Sequence, residues 1–127
     1  MTSHVDRLAA KGTGASPDRW IIRRRSRASP AVRLLCFPYA GSGASVFRAW
    51  HAELSAETEV LLVQPPGREG RISEPPLHRL EELVGQVADA LGAQLEPPYA
   101  LFGHSLGALA AFELARELRR RGYAPPV

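Results

Sequence analysis

The chain has 127 residues, 45% of them apolar, and a formal net charge of +3, a balance that suits one soluble globular domain with a modest core. Its single cysteine, Cys36, excludes an internal disulfide, and with four scattered histidines it offers no zinc-type spacing, so the chain fits a reducing cytoplasm. No stretch approaches the roughly 18 apolar residues of a membrane span, and the N-terminal MTSHVDRLAAKG has no signal-peptide core, so no membrane association is expected.

Residues 1–17 are small and polar, with Gly12, Gly14, Ser16 and Pro17, and read as a mobile tail; the folded domain is expected over 18–127. The run Arg19–Arg25 (RWIIRRR) reads as a short edge strand whose arginines discourage further pairing. Arg23, Arg24, Arg25 and Arg27 crowd together, yet the aromatic interleaving and second basic stripe of a nucleic-acid face are missing. A solvated edge is the expectation there, and no nucleic-acid partner.

Three short apolar runs follow: Arg33–Phe37 (RLLCF), Val60–Gln64 (VLLVQ) and Tyr99–Phe102 (YALF), each stopped by Pro or Gly. That is how strands buried on both faces read. Between and after them lie three helical patterns. Phe47, Trp50 and Leu54 mark a helix of about three turns; Leu80, Leu83, Val84, Val87, Leu91 and Leu95 mark a longer one. The third runs from Leu106 to about Arg121, with Arg119, Arg120 and Arg121 at its negative end and Gly122 placed to close it. Alternating buried strands and helices imply an α/β fold, a mostly parallel sheet with flanking helices.

Gly103-His104-Ser105-Leu106-Gly107 falls between the YALF strand and the Leu106 helix, the context that a G-x-S-x-G nucleophile elbow requires. Ser105 is the candidate nucleophile on a strained turn, and Gly103 and Gly107 are needed where a Cβ would clash. The helix that follows aims its N-terminal amides at the site, so the Leu106 amide can stabilise an oxyanion. The three fixed positions alone arise by chance in roughly a few per cent of chains this long; the strand before and the helix after make the match much more specific.

Two loops lie at strand C-termini, where open α/β sheets place ligands. Pro38-Tyr39-Ala40-Gly41-Ser42-Gly43 can offer a second oxyanion donor, the Ala40 amide, or serve as a flexible connection. It is not a dinucleotide fingerprint, since Val46 stands where the third glycine belongs. The loop Gln64–Arg71 carries Arg68 and Arg71, which either meet a phosphate-bearing substrate arm or are solvated charges.

A serine nucleophile of this fold is followed in sequence by an acid and then a histidine. After Ser105 the chain has neither His nor Asp. Glu113 and Glu117 ride the helix away from Ser105; His104 diverges from it at the turn; His51 and His78 read as surface residues and His4 falls in the tail. Without a base, Ser105 is a weak nucleophile.

CFPYAGSGAS, VQPPGREGR and FGHSLGALAAFELAREL together resemble, in order and spacing, three signature segments of type II thioesterases, the stand-alone editing enzymes of polyketide and nonribosomal peptide synthesis. The resemblance covers roughly residues 19–127. It implies an α/β-hydrolase fold, Ser105 as the acyl-accepting nucleophile, and Leu106 and Ala40 as oxyanion amides. The implied substrate is an acyl group on the phosphopantetheine arm of an acyl or peptidyl carrier protein, and no cofactor is implied. Pro65 departs from the bulky apolar residue usual before Pro-Gly-Arg-Glu.

The family's next strand begins where Ala124-Pro125-Pro126-Val127 lies, so the chain is expected to be the N-terminal portion of that fold, lacking the C-terminal strands and lid, and inactive by itself. The nucleophile strand is then expected at an exposed sheet edge. Two other functions fit less well: a non-catalytic carrier-protein-binding remnant, and an acyltransferase of the malonyl-transfer type, in which Glu is typical where Ala108 stands.

Overall fold

A computed structural model describes residues 17–25 and 30–127; the expected tail, but for Pro17, lies outside the described residues, as does Arg27. A single helical turn, α1 (Pro17–Trp20), leads into β1 (Ile21–Arg25), and three further strands follow: β2 (Val32–Phe37), β3 (Thr58–Val63) and β4 (Tyr99–Gly103). They form one sheet in the order β1-β3-β2-β4. β2 is central, parallel to β3 (Leu35 opposite Leu61) and to β4 (Leu35 opposite Leu101). β1 runs antiparallel on the outside of β3, with Ile21 opposite Val63.

The alternation of side chains along each strand divides the interior in two. Leu35, Phe37, Leu61 and Val63 face the helices α3 (Leu80–Leu91) and α4 (Leu106–Arg120), meeting Val84, Val87, Leu91, Ala110, Leu114 and Leu118. Their neighbours Cys36, Val60 and Leu62 face the other way, against Ala44 and Phe47. All six residues of β3 are buried, which is why its sequence reads as a continuous apolar run rather than an alternating one.

The helix expected through Phe47, Trp50 and Leu54 does not form as one piece. A 3-10 turn spans Ala44–Phe47, and α2 (Trp50–Glu53) is a single α-turn with no side-chain cap at either start. The three apolar residues do pack into the second core, so the spacing was sound. β-branched and aromatic residues around Val46 and Phe47 favour a helix weakly, and the turn is held from outside, as described below. The second expected helix also stops early: α3 ends at Leu91 and tightens into a 3-10 turn at Gly92–Gln94, placing Leu95 in the core.

α4 runs as expected and closes on Gly122, whose φ of 89° suits glycine. The Gly122 amide donates to the Arg119 carbonyl and the Tyr123 amide to the Leu118 carbonyl, each at 3.0 Å, the paired bonds of a Schellman closure. β4 stands at the sheet edge, as expected. The Val127 amide donates to the Tyr99 carbonyl at 2.8 Å on that side, and the Tyr99 hydroxyl donates to the Ala124 carbonyl at 2.6 Å. Phe102 and Phe112 remain exposed nearby. Among the described residues, no helix is long and apolar enough to cross a membrane.

Candidate active site

β4 ends at Gly103 and α4 begins at Leu106, so His104 and Ser105 make the whole strand-to-helix turn. Ser105 takes φ 59° and ψ −121°, a left-handed conformation that strains any residue with a side chain and that gathers at functional sites. Glycine on both sides permits it. A Cβ on Gly103 would stand 2.0 Å from the Gly107 carbonyl oxygen, and one on Gly107 would stand 2.5 Å from that of Phe37 and 2.7 Å from that of Pro38. The turn closes through the Gly107 amide donating to the His104 carbonyl and the Ala108 amide donating to the Ser105 carbonyl, each at 2.9 Å. The Leu106 amide opens the helix and has no acceptor within it. Ser105 is exposed at the tip.

The loop after β2 folds as a tight turn. Gly41 has φ 80°, and Tyr39 accepts at its carbonyl from the Ser42 amide (3.1 Å) and hydroxyl (2.5 Å), so the Ala40 amide lies outside the turn's own bonds. Ala40 and Leu106 line one cavity of about 320 Å³. Leu80, Leu83 and Ala110 give it apolar walls, and Arg68 and His78 stand at it as well. His78, expected at the surface, is exposed, and it stands on this cavity's wall.

The other expected residues separate. His104 turns edge-on to Tyr39, ring centroids 5.7 Å apart. Glu113 pairs with Arg116, and Glu117 with Arg120 and Arg121, along the outside of α4. Among the described residues, no side chain is hydrogen-bonded to Ser105 Oγ.

Arg71 fits neither of the roles open to it. It is buried; Nη1 donates to the Gln64 carbonyl at 2.9 Å, Nε and Nη2 pair with Glu74 at 2.9 and 2.8 Å, and the guanidinium lies 4.4 Å over the Trp20 ring. It is an internal strut joining the loop to α1. Hydrogen bonds from Arg71 and then Arg19 hold the Glu74 carboxyl down at about 2. Arg68 alone of the pair remains at the cavity.

A mostly parallel sheet with one antiparallel edge strand and helices packed on it, with a positive-φ serine at a glycine-flanked strand-to-helix turn, defines the α/β-hydrolase class. The model of the thioesterase domain matches residues 32–126, and the chain belongs to that family. It is 41% identical over 110 residues to the gramicidin S biosynthesis protein GrsT of Aneurinibacillus migulanus, covering 87% of this chain and 43% of that protein. It is 47% identical over 103 residues to the thioesterase PikA5 of Streptomyces venezuelae, covering 80% of this chain and 37% of the relative.

Among solved structures, the type II thioesterase BorB from the borrelidin biosynthetic cluster superposes with a TM-score of 0.79 at 42% identity, covering 84% of this chain and 44% of BorB. RedJ, a thioesterase from the prodiginine pathway of Streptomyces coelicolor, gives 0.74 at 51% identity, covering 78% and 38%. The chain thus spans about two fifths of the length of these four relatives.

Proposed function

We propose that the chain carries the nucleophile half of a serine thioesterase that releases acyl groups from the phosphopantetheine arm of acyl or peptidyl carrier proteins, in the cytoplasm, during polyketide or nonribosomal peptide synthesis. The observation that carries this reading is the conformation of Ser105 between β4 and α4, over a helix that presents its first amide. In the reaction, Ser105 Oγ attacks the thioester carbonyl carbon. The oxygen gains negative charge and is met by the amides of Leu106 and Ala40. The C–S bond then breaks, the arm leaves as its thiol with the serine proton, and water hydrolyses the acyl-serine to a free acid.

Each step needs a group to take and return the proton. None of the described side chains is in place at Ser105 to do so, so this chain alone is expected to be catalytically silent. The apolar walls of the cavity beside Leu106 support an acyl substrate, and the likeness to a gramicidin S biosynthesis protein and to a type II thioesterase of the borrelidin biosynthetic cluster supports a carrier-bound one.

The test is intact-mass analysis after treatment with a fluorophosphonate, with Ser105→Ala as control and circular dichroism to establish folding. A folded chain that stays unlabelled agrees with the missing base, and labelling should then appear when a polypeptide with a family-like Asp and His segment is supplied. Stoichiometric labelling of the chain alone, lost in Ser105→Ala, would show a base within it and overturn the silent reading. Labelling that survives Ser105→Ala would remove Ser105 as the nucleophile.

A further inference from the structure

Besides Ser105, one other described non-glycine residue takes a positive φ: Glu69, at 45°, in the loop after β3. Strain of this kind persists only where surrounding contacts impose it. Its carboxylate reaches across to the loop after β2. Oε2 accepts from the Ser45 hydroxyl at 2.5 Å, and Oε1 accepts from the Ser45 amide at 3.3 Å and from Gln64 Nε2 at 3.4 Å. Gln64 Oε1, buried beneath, accepts from the Ala44 amide at 2.7 Å. The two amides that open the 3-10 turn are therefore both held by side chains from the other loop.

Gly43 makes the approach possible. A Cβ there would stand 2.6 Å from Glu69 Cδ and 2.9 Å from Gln64 Oε1. At the other end, the close packing of Phe37 and Pro38 against Gly107 fixes the start of the same loop against the elbow. Pro38–Gly43 is a short span pinned at both ends, and Ala40 lies within it.

We infer that Glu69 is a positioning residue for the loop that carries Ala40: by clasping Ser45 it sets the Ala40 amide relative to the nucleophile elbow. The inference rests on the reading of Ala40 as an oxyanion donor, and it assigns to Glu69 a role that neither charge nor exposure would suggest. A charged acceptor holding a hydroxyl and an amide together is a strong restraint, and it acts where a small displacement of a donor weakens catalysis.

The test is NMR of the full 127-residue chain as wild type, Glu69→Ala, Glu69→Gln and Ser45→Ala, reading amide exchange and the Ala40 amide resonance. Glu69→Ala is expected to speed exchange at Ala44 and Ser45 at least tenfold and to shift the Ala40 resonance, while Leu114 in α4 keeps its protection. Glu69→Gln, which keeps an acceptor oxygen, should restore most of both. Ser45→Ala, which leaves both cores intact, should shift Ala40 in the same direction by less, and it decides the matter if Glu69→Ala does not fold. An Ala40 resonance unmoved in Ser45→Ala and Glu69→Ala, or no difference between Glu69→Gln and Glu69→Ala, overturns the inference. None of these readouts requires Ser105 to react, so they stand or fall separately from the fluorophosphonate result.

Discussion

Gly107 lies so close to Phe37 that a β-carbon on it would come within 2.5 Å of the Phe37 carbonyl oxygen. This contact locks the first turn of α4 onto the end of β2, and it is what brings the elbow and the loop of Ala40 to the same end of the sheet. Gly107→Ala must push two backbones apart and is expected to cost about 2 kcal/mol; Gly103→Ala, which meets the Gly107 carbonyl at 2.0 Å, should cost about 3 kcal/mol or more. Urea titrations of the two variants check the order. Equal, negligible losses would mean that the turn is not held this tightly.

Glu74 ties Arg71 and Arg19 together beside Trp20. Its carboxyl sits at about 2 when folded, against an ordinary value of 4.5. A depressed carboxyl stabilises the fold above its unfolded pKa, so this contribution is complete above about pH 4.5 and is lost as the pH falls toward 2. Thermal melts between pH 6 and 2 should therefore show a falling Tm in wild type, with a shallower fall in Glu74→Gln. Identical slopes in the two proteins would remove Glu74 from the acid response.

The strands, the two long helices and the elbow were legible in sequence because each is specified locally. RLLCF and VLLVQ are unbroken apolar runs closed by proline, and G-H-S-L-G needs only its own backbone to turn. What escaped depends on partners distant in the chain. The interrupted helix at Ala44–Glu53 is set by Glu69 and Gln64, whose hydrogen bonds fix its first amides. Arg71 looked like a solvated or ligand-facing charge because nothing in its own loop announces that Trp20 lies under it. His78 carries no signal at all; its place on the cavity wall follows from where the chain enters α3.

Two glycines separate backbone need from mere tolerance. Gly85 sits inside α3 and a Cβ there would meet nothing within 4 Å, whereas Gly122 is equally open but holds φ at 89°. Gly85→Ala should stabilise by about 0.5–1 kcal/mol through helix propensity. Gly122→Ala should destabilise by about 1 kcal/mol, because a side chain is forced into the left-handed region at the helix stop. Chemical denaturation of both variants checks the opposite signs, and a loss in Gly85→Ala would show that the space beside α3 is filled in solution.

Cys36 is fully buried in the second core, and desolvation pushes its thiol up to about 12 from an ordinary 9.0. The thiolate is the reactive form, so at pH 8 the folded chain holds a roughly thousand-fold smaller thiolate fraction than the unfolded one. Reaction with an aromatic disulfide should be correspondingly slow in buffer and rapid in urea, with a native rate that follows the opening of the fold. The sign with pH is fixed as well: a raised thiol pKa stabilises fully below pH 9, and that stabilisation is lost as the pH climbs from 9 toward 12. Cys36→Ser replaces the sulfur with a hydroxyl among Val60, Leu62 and Phe47, and it should cost about 1–3 kcal/mol where that hydroxyl finds no acceptor. Fast labelling in native buffer at pH 8 would show that the second core, and with it the seat of the 3-10 turn that Glu69 clasps, opens in solution.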